Sequence, residues 1–251
     1  MTVLVAIPFW RCGPHVAKAV ESVLAQTHRD LVVMVAGDGD DPEPHLRGID
    51  DPRLVVVAFP DNLGAPHTQQ AMLLGSPHEW YAPMGADDWL DRDYLARLLA
   101  LGGDANSVGA WYRHQGRRVE VRRTSVEVGV YRSELIRSLG GYGVTMRCSQ
   151  DVLLYWRLTA AVTERRMLAH PAYHRLIRPG ESLTRSRATG HGSAYRQAAA
   201  AHNEAVFARC MEIGVGDLAG IRAYRESLVP TDLAEALAAR VDVVRSALDN
   251  T

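Results

Sequence analysis

Through the first part of the chain, short apolar runs alternate with segments of helical periodicity, and this alternation restricts the possible folds more than any other feature. Residues 3–7, 31–36, 54–59 and 79–84 are near-continuous apolar runs closed by Pro, Gly or Asp-rich sequence. Runs so short and so apolar predict strands buried on both faces. Between the first two, Gly13-Pro14 heads a segment with Val16, Ala17, Val20, Val23 and Leu24 at helical spacing. Pro suits a first helical turn, where its missing N–H would have no partner. Residues 60–64 (Pro-Asp-Asn-Leu-Gly) turn the chain into a further helix over 65–74. Strands and helices in this order imply α/β architecture, a doubly wound and mostly parallel sheet with ligands beyond the carboxyl ends of its strands. Further on, the patterns predict a helix over 94–101, strands over 108–112, 119–122 and 126–131, and helices over 132–139 and 151–161. From His191 the chain reads as alanine-rich helix, over 194–211, 217–227 and 233–248.

A chain of 251 residues can bury one sizeable core. Its formal net charge of -1 gives no general reason to bind nucleic acid or acidic membrane, and the cluster Arg117, Arg118, Arg122 and Arg123 reads as a solvated face. Cys12, Cys148 and Cys210 have no metal-ligand spacing and suggest no disulfide framework. No apolar run approaches bilayer-spanning length, and no basic region, apolar segment and cleavage site open the chain. A soluble, cytoplasmic protein is the expectation.

Asp87 and Asp88 follow the fourth apolar run, in Gly85-Ala-Asp-Asp-Trp-Leu-Asp91. Hard divalent cations such as Mg²⁺ or Mn²⁺ use one or two protein carboxylates and fill the remaining shell with water and substrate phosphate. A nucleotide diphosphate would complete that shell. Asp91, next to the following helix, reads as a cap. Two further strand ends carry Asp38-Gly39 and Asn62-Leu-Gly64, and three such loops converging argue for a nucleotide site. Asp38 beside Gly also fits a plain turn, and Asp151 ahead of a helix also fits a cap. Arg175 and Arg178 suit phosphate oxygens, because guanidinium donates in pairs. His174 fits either a structural role or a ligand to metal or phosphate. Tyr155 and Trp156 read as core or as acceptor-pocket wall. Leu233, Leu237, Val241 and Val244 form an apolar stripe that must be covered by the chain's own domain or by a second copy, a homodimer through the C-terminal helices.

With these features in order, the sequence resembles the family 2 glycosyltransferases of GT-A fold over roughly residues 2–184. Residues 3–10 look like the family's opening strand and nucleotide loop, and Glu21-Ser-Val-Leu-Ala-Gln-Thr27 like its first helix. Val35-Ala-Gly-Asp38-Gly39 is similar to the Asp-Asp-Gly turn, Asn62-Leu-Gly64 to the Asn-x-Gly turn, and residues 85–90 to the metal motif. Residues 130–142 and Gln150-Asp151-Val-Leu-Leu-Tyr-Trp-Arg-Leu158 resemble the acceptor-side segment. Gly37, Gly85 and Gln150 stand where the family carries Asp, Asp and Glu.

The resemblance implies a metal-dependent, inverting hexosyltransferase that takes a nucleotide-diphosphate sugar, a UDP-sugar foremost, with Mn²⁺ or Mg²⁺. Asp151 would be the catalytic base. Pro8 and Phe9 would line the base pocket, Asp38 would hydrogen-bond a uracil-type base, Asn62 and Gly64 would form the nucleotide turn, and Asp87 would hold the ribose. Asp88 would hold the metal, with Asp87 and His174 as further candidates. Arg175 and Arg178 would belong to a late loop closing over the donor phosphates. The corresponding division is a GT-A domain over 1–190, with nucleotide-sugar half 1–102 and acceptor-side half 103–190, then a helical extension over 191–251. The acceptor is left open, because acceptor specificity resides in loops. Two rivals are a sugar-phosphate nucleotidyltransferase, which would carry a glycine-rich basic loop where residues 8–13 read Pro-Phe-Trp-Arg-Cys-Gly, and a catalytically impaired GT-A protein that binds a nucleotide sugar or glycan.

Overall fold

A computed structural model of the chain describes residues 1–102, 107–115, 119–122, 128–147, 150–161, 165–177 and 192–250. The four apolar runs form β1 (Val3–Phe9), β2 (Leu31–Asp38), β3 (Leu54–Phe59) and β4 (Trp80–Pro83). Between them lie α1 (Gly13–Leu24), the single turn α2 (Glu43–Leu46) and α3 (Ala65–Gly75). The later elements are β5 (Trp89–Leu90), α4 (Tyr94–Gly102), β6 (Ser107–Gln115), β7 (Val119–Arg122), β8 (Gly129–Arg132), α5 (Ser133–Ser138), α6 (Gln150–Ala161), β9 (Arg166–Leu176), α7 (Ala194–Ile213), α8 (Leu218–Ser227) and α9 (Thr231–Leu248). The sheet runs β3-β2-β1-β4-β8-β6-β9-β5, with β7 against β6.

Pairing is parallel through β3-β2-β1-β4 and mixed beyond. In the parallel part, Phe9 pairs with Gly37 and Asp38 with Phe59, so three strands finish side by side and their loops emerge together. Alternation along β1 sends Val3, Val5, Ile7 and Phe9 to one core and Leu4 and Ala6 to the other. The first core is covered by Val16, Val20 and Val23 of α1 and Tyr94, Leu95 and Leu98 of α4. The second is covered by Met72 and Leu73 of α3, Ile136 of α5, Leu154 and Leu158 of α6, and Val241, Val244 and Leu248 of α9. Both sheet faces are therefore dry, which is why β1 and β2 carry no polar alternation.

Helix α9 lies directly on α3. A Cβ on Gly75 would stand 2.6 Å from Val244 Cγ1 and 2.9 Å from the Val241 carbonyl, so glycine there lets the two backbones approach. The stripe of Leu237, Val241 and Val244 is thus covered within the chain, the first of the two ways expected. Polar residues of α3 are buried beneath it, and the two glutamines are engaged by neighbours. Gln70 accepts from Tyr142 N at 2.7 Å, and Tyr81 donates to the Gln69 carbonyl at 3.1 Å. Arg157 of α6 and Arg225 of α8 donate to carbonyls of Leu139 and Gly141 past the end of α5, where unsatisfied C=O groups favour positive charge.

Strand β9 runs where no strand was expected, and Arg175, assigned by resemblance to a late loop, lies within it. Pro171 interrupts its pattern, and its register against β6 shifts between Ala110 and Tyr112, an irregularity that lets a residue without an N–H sit in the ladder. The expected strand over 126–131 appears as Gly129–Arg132, its first two positions lying outside the described residues. Among the described residues no helix is long and apolar enough to cross a membrane.

Candidate active site

The fourth strand ends at Pro83, paired with Ala6, and the chain then bends through Gly85-Ala-Asp87-Asp88 before β5. Both carboxylates curl back over Gly85. A Cβ built on that glycine would meet Asp88 Oδ2 at 2.7 Å and Asp87 Oδ1 at 3.2 Å. The space an aspartate at position 85 would occupy is already taken by its two neighbours.

The two carboxylates differ in setting. Asp88 is buried, and its Oδ2 accepts from the Tyr173 hydroxyl at 2.5 Å while its Oδ1 accepts from Leu176 N at 3.0 Å. Burial, and then the neighbouring charge of Asp87, push its carboxyl up to about 7 against the opposing pull of Arg175, Tyr173 and the Leu176 amide. Asp87 is only half-buried at the same bend. Of the carboxylate expected to hold a metal and its neighbour, Asp88 is fastened from behind, and Asp87 is the more open to an incoming ligand.

Strand β9 supplies the opposite wall. Successive side chains of a strand alternate, so Tyr173 and Arg175 share the Asp88 side while His174 faces away. Burial, with Asp88 beside it, pushes the Tyr173 phenol well above its ordinary value, so the hydroxyl stays a donor. It also accepts from Gly85 N at 3.2 Å, tying both ends of the bend. His174 departs from its expected candidacy as a ligand. Its Nε2 meets Asp91 at 2.8 Å, its Nδ1 meets Gln115 Nε2 at 2.8 Å, and its ring stacks on Trp89 at 5.2 Å with the planes 4° apart. The Lys18 ammonium also lies over the Trp89 ring, 3.1 Å from its centroid. Asp91, expected as a helix cap, spends its side chain on His174 instead.

What fixes the start of α4 is Gln26, whose Oε1 accepts from Leu95 N at 3.0 Å and whose amide donates to the Asp91 carbonyl at 2.8 Å. Ser22 Oγ accepts from Leu90 N at 3.2 Å. The Ser-Val-Leu-x-Gln string of α1 therefore holds the segment that follows the acidic pair.

The other two loops are occupied by their own chain. Asp38, expected on a nucleobase, is buried, with Oδ1 accepting from Leu63 N at 2.9 Å and Oδ2 from Gly64 N at 2.8 Å. Its Oδ1 also takes Arg240 Nη1 of α9 at 3.1 Å. This carboxylate shapes the 61–64 turn and faces inward. Asn62 accepts at its carbonyl and its Oδ1 from Arg147 Nη2, the former at 2.9 Å. Gly64 has φ 102°, and a Cβ there would meet Arg147 Cα at 2.9 Å. Left-handed backbone and close approach both demand glycine at this point.

Phe9, expected as pocket wall, is fully buried, its ring 5.8 Å from His45. Pro8 is half-buried, and the adjacent Trp10 is exposed at the end of β1 under the Arg11 guanidinium, 4.8 Å away. Arg11 is the one non-glycine with positive φ (52°) among the described residues, and its N–H donates to Asp40 at 2.9 Å.

Asp151 lies in the first turn of α6 and is half-buried. Arg147, four residues earlier, touches the 61–64 turn, so chain length holds Asp151 within about 15 Å of that contact. Arg178 lies outside the described residues. Among the described residues no group of three or more His, Cys, Asp or Glu side chains could hold a metal ion. A cation here would draw on the acidic pair alone, completed by water and substrate phosphate, which fits Mg²⁺ or Mn²⁺ better than a metal needing a full protein cage.

The model of glycosyl transferase family 2 matches residues 4–203. The chain belongs to this family. The match ends inside α7, so α8 and α9, with Arg225 and Arg240, lie beyond it. Solved structures similar to this chain include S. aureus TarS 1–349 in complex with UDP-GlcNAc, with TM-score 0.64 and 15% identity over 72% of this chain and 60% of that one. The complex of TarS 1–349 with UDP gives TM-score 0.58 and 14% identity over 71% and 61%. At such identities the likeness shows the fold, and the chain spans about three fifths of those structures. No curated protein sequence matches the chain.

Proposed function

We propose that this family 2 glycosyltransferase moves a sugar from a nucleotide diphosphate, a UDP-sugar, to an acceptor hydroxyl in a single displacement with inversion. The observation that carries this reading is the pair Asp87 and Asp88, converging over Gly85 at the end of β4 with Arg175 on the facing strand. A buried carboxylate beside a second carboxylate is costly unless positive charge joins them. Arg175 supplies part of that charge, and a divalent cation would supply the rest. The TarS complexes with UDP and UDP-GlcNAc support the choice of nucleotide.

In this reading Asp87 is the open-side metal ligand and Asp88 sets its position, anchored by Tyr173 and the Leu176 amide. Arg175, with Arg178, meets the diphosphate oxygens through paired donors. Pro8 and the 61–64 turn, with Asn62 and Gly64, border the nucleoside. When bound, the cation neutralises charge developing on the departing diphosphate. Asp151 accepts the proton of the acceptor hydroxyl as that oxygen bonds to the anomeric carbon, on the face opposite the breaking bond to the diphosphate. Asp151 stands in the first turn of α6, where the helix start favours negative charge. Residues 1–190 form the catalytic domain in this scheme, and 191–251 pack on it as a helical support.

Donor hydrolysis tests the reading. Purified protein with UDP-, GDP- and dTDP-sugars should release nucleotide slowly with Mn²⁺ and not with EDTA, fastest for UDP-sugars. A metal-independent release, or formation of nucleotide sugar from nucleoside triphosphate and sugar phosphate, would overturn it in favour of a different enzyme class.

A further inference from the structure

Arg240 stands 202 positions from Asp38 in sequence and outside the family match, yet it closes the loop cluster of the donor side. Its Nη1 donates to Asp38 Oδ1 and to Thr68 Oγ1, each at 3.1 Å, and its Nη2 donates to the Asp61 carbonyl. The guanidinium plane lies over Phe59, 4.4 Å from the ring centroid. One side chain of α9 thus joins the ends of β2 and β3, the 61–64 turn and the first turn of α3. Both members of the ion pair are almost inaccessible, with 5% and 3% of their side chains exposed.

Such a pair is a poor source of stability for its own sake, since removing two charges from water offsets most of their attraction. A plain apolar contact from α9 would cover α3 as well. What the ion pair adds is geometry. Asp38 can present one oxygen to the Leu63 amide and the other to the Gly64 amide only while its carboxylate is held in place, and Arg240 holds it. From these contacts we infer that Arg240 is a positioning residue for the nucleotide-sugar site, and that α9 is therefore part of the donor-binding apparatus, acting through the chain's own loops. The inference rests on the reading of this edge as the donor site.

The test uses the full chain with Arg240→Met, Arg240→Lys and, as control, Val244→Ala. Val244 is buried against Gly75 and touches none of the loops, so its truncation weakens α9 docking alone. Two readouts are needed. Amide hydrogen exchange of the ligand-free protein should show Leu63 and Gly64 losing protection in Arg240→Met beyond the loss shared by the rest of the sheet. Val244→Ala should show only the shared loss. UDP affinity in Mn²⁺ should fall on the order of tenfold in Arg240→Met, less in Arg240→Lys, and little in Val244→Ala. Unchanged protection of the two amides in Arg240→Met would overturn the inference, as would equal loss of UDP affinity in Arg240→Met and Val244→Ala matched for thermal stability. If the parent protein binds no nucleotide, the donor-site reading has failed, and the exchange data show separately whether Arg240 holds the turn.

Discussion

The ends of β2 and β4 each present a buried aspartate, and the two are compensated in opposite ways. Asp38 meets a guanidinium and two backbone N–H groups of its own chain, a complete shell. Asp88 meets a phenol and one N–H, lies between the opposing charges of Arg175 and Asp87, and is pushed up to about 7 by burial and the second carboxylate. A shell closed by the chain marks a carboxylate that shapes structure. A shell left short of positive charge marks a place where an outside cation gains the most. The two turns leave the same end of the parallel strands, on either side of β1, and the proposed metal-bridged diphosphate would use the under-compensated one.

The largest expected effect lies outside both turns and separates binding from chemistry. Asp151→Asn keeps the size and most of the capping capacity of the side chain but removes the proton acceptor. Turnover should fall by about a hundred- to ten-thousandfold while UDP affinity stays at the parent value. Transfer at nearly the parent rate would reduce Asp151 to a helix cap, and loss of UDP binding would move it into the donor site.

Next comes the comparison itself, read in chemical denaturation. Asp38→Ala strands Arg240 and two amides in the interior and should cost about 3–5 kcal/mol, as breaking a buried pair does. Asp88→Asn keeps an acceptor for the Leu176 amide, lets the Tyr173 hydroxyl turn to accept from the new side-chain amide, and removes a disfavoured charge, so in metal-free buffer it should change stability by less than about 1 kcal/mol. Equal losses for the two would show that the turns are not differently compensated.

A smaller effect concerns pH. Burial lowers the His67 imidazole below its ordinary 6.5, aided by the Arg240 charge and opposed by its contact to the Leu233 carbonyl and the Asp38 charge. A depressed histidine is neutral in the fold where the unfolded chain takes up a proton, so the fold binds fewer protons in that interval. Its stabilisation is whole above 6.5 and declines as the pH falls from there toward the folded value. His67→Gln should flatten the decline in thermal midpoint between about pH 7 and pH 5, and an unchanged slope would assign it to other groups.

The parallel half of the sheet was readable from the chain because strands buried on both faces are uniformly apolar, as in residues 3–7 and 31–36. The acidic bend was readable because Asp87 and Asp88 follow such a run. The task of Asp38 was not. Its partner Arg240 lies on a helix whose pattern shows only the apolar stripe, and a pairing across 202 positions leaves no local trace. Strand β9 escaped because Pro171 breaks its alternation, although Tyr173 and Arg175 at period two were the available signal for the wall facing Asp88.

The most direct test of the central claim is calorimetric titration of UDP into the parent protein and Asp87→Asn, each in Mn²⁺ and in EDTA. The account predicts that the parent binds UDP more tightly in Mn²⁺ than in EDTA by on the order of tenfold or more, and that Asp87→Asn binds with the weaker affinity in both buffers. Equal affinity of the parent in Mn²⁺ and EDTA would contradict it, because the acidic pair would then have no part in holding the donor.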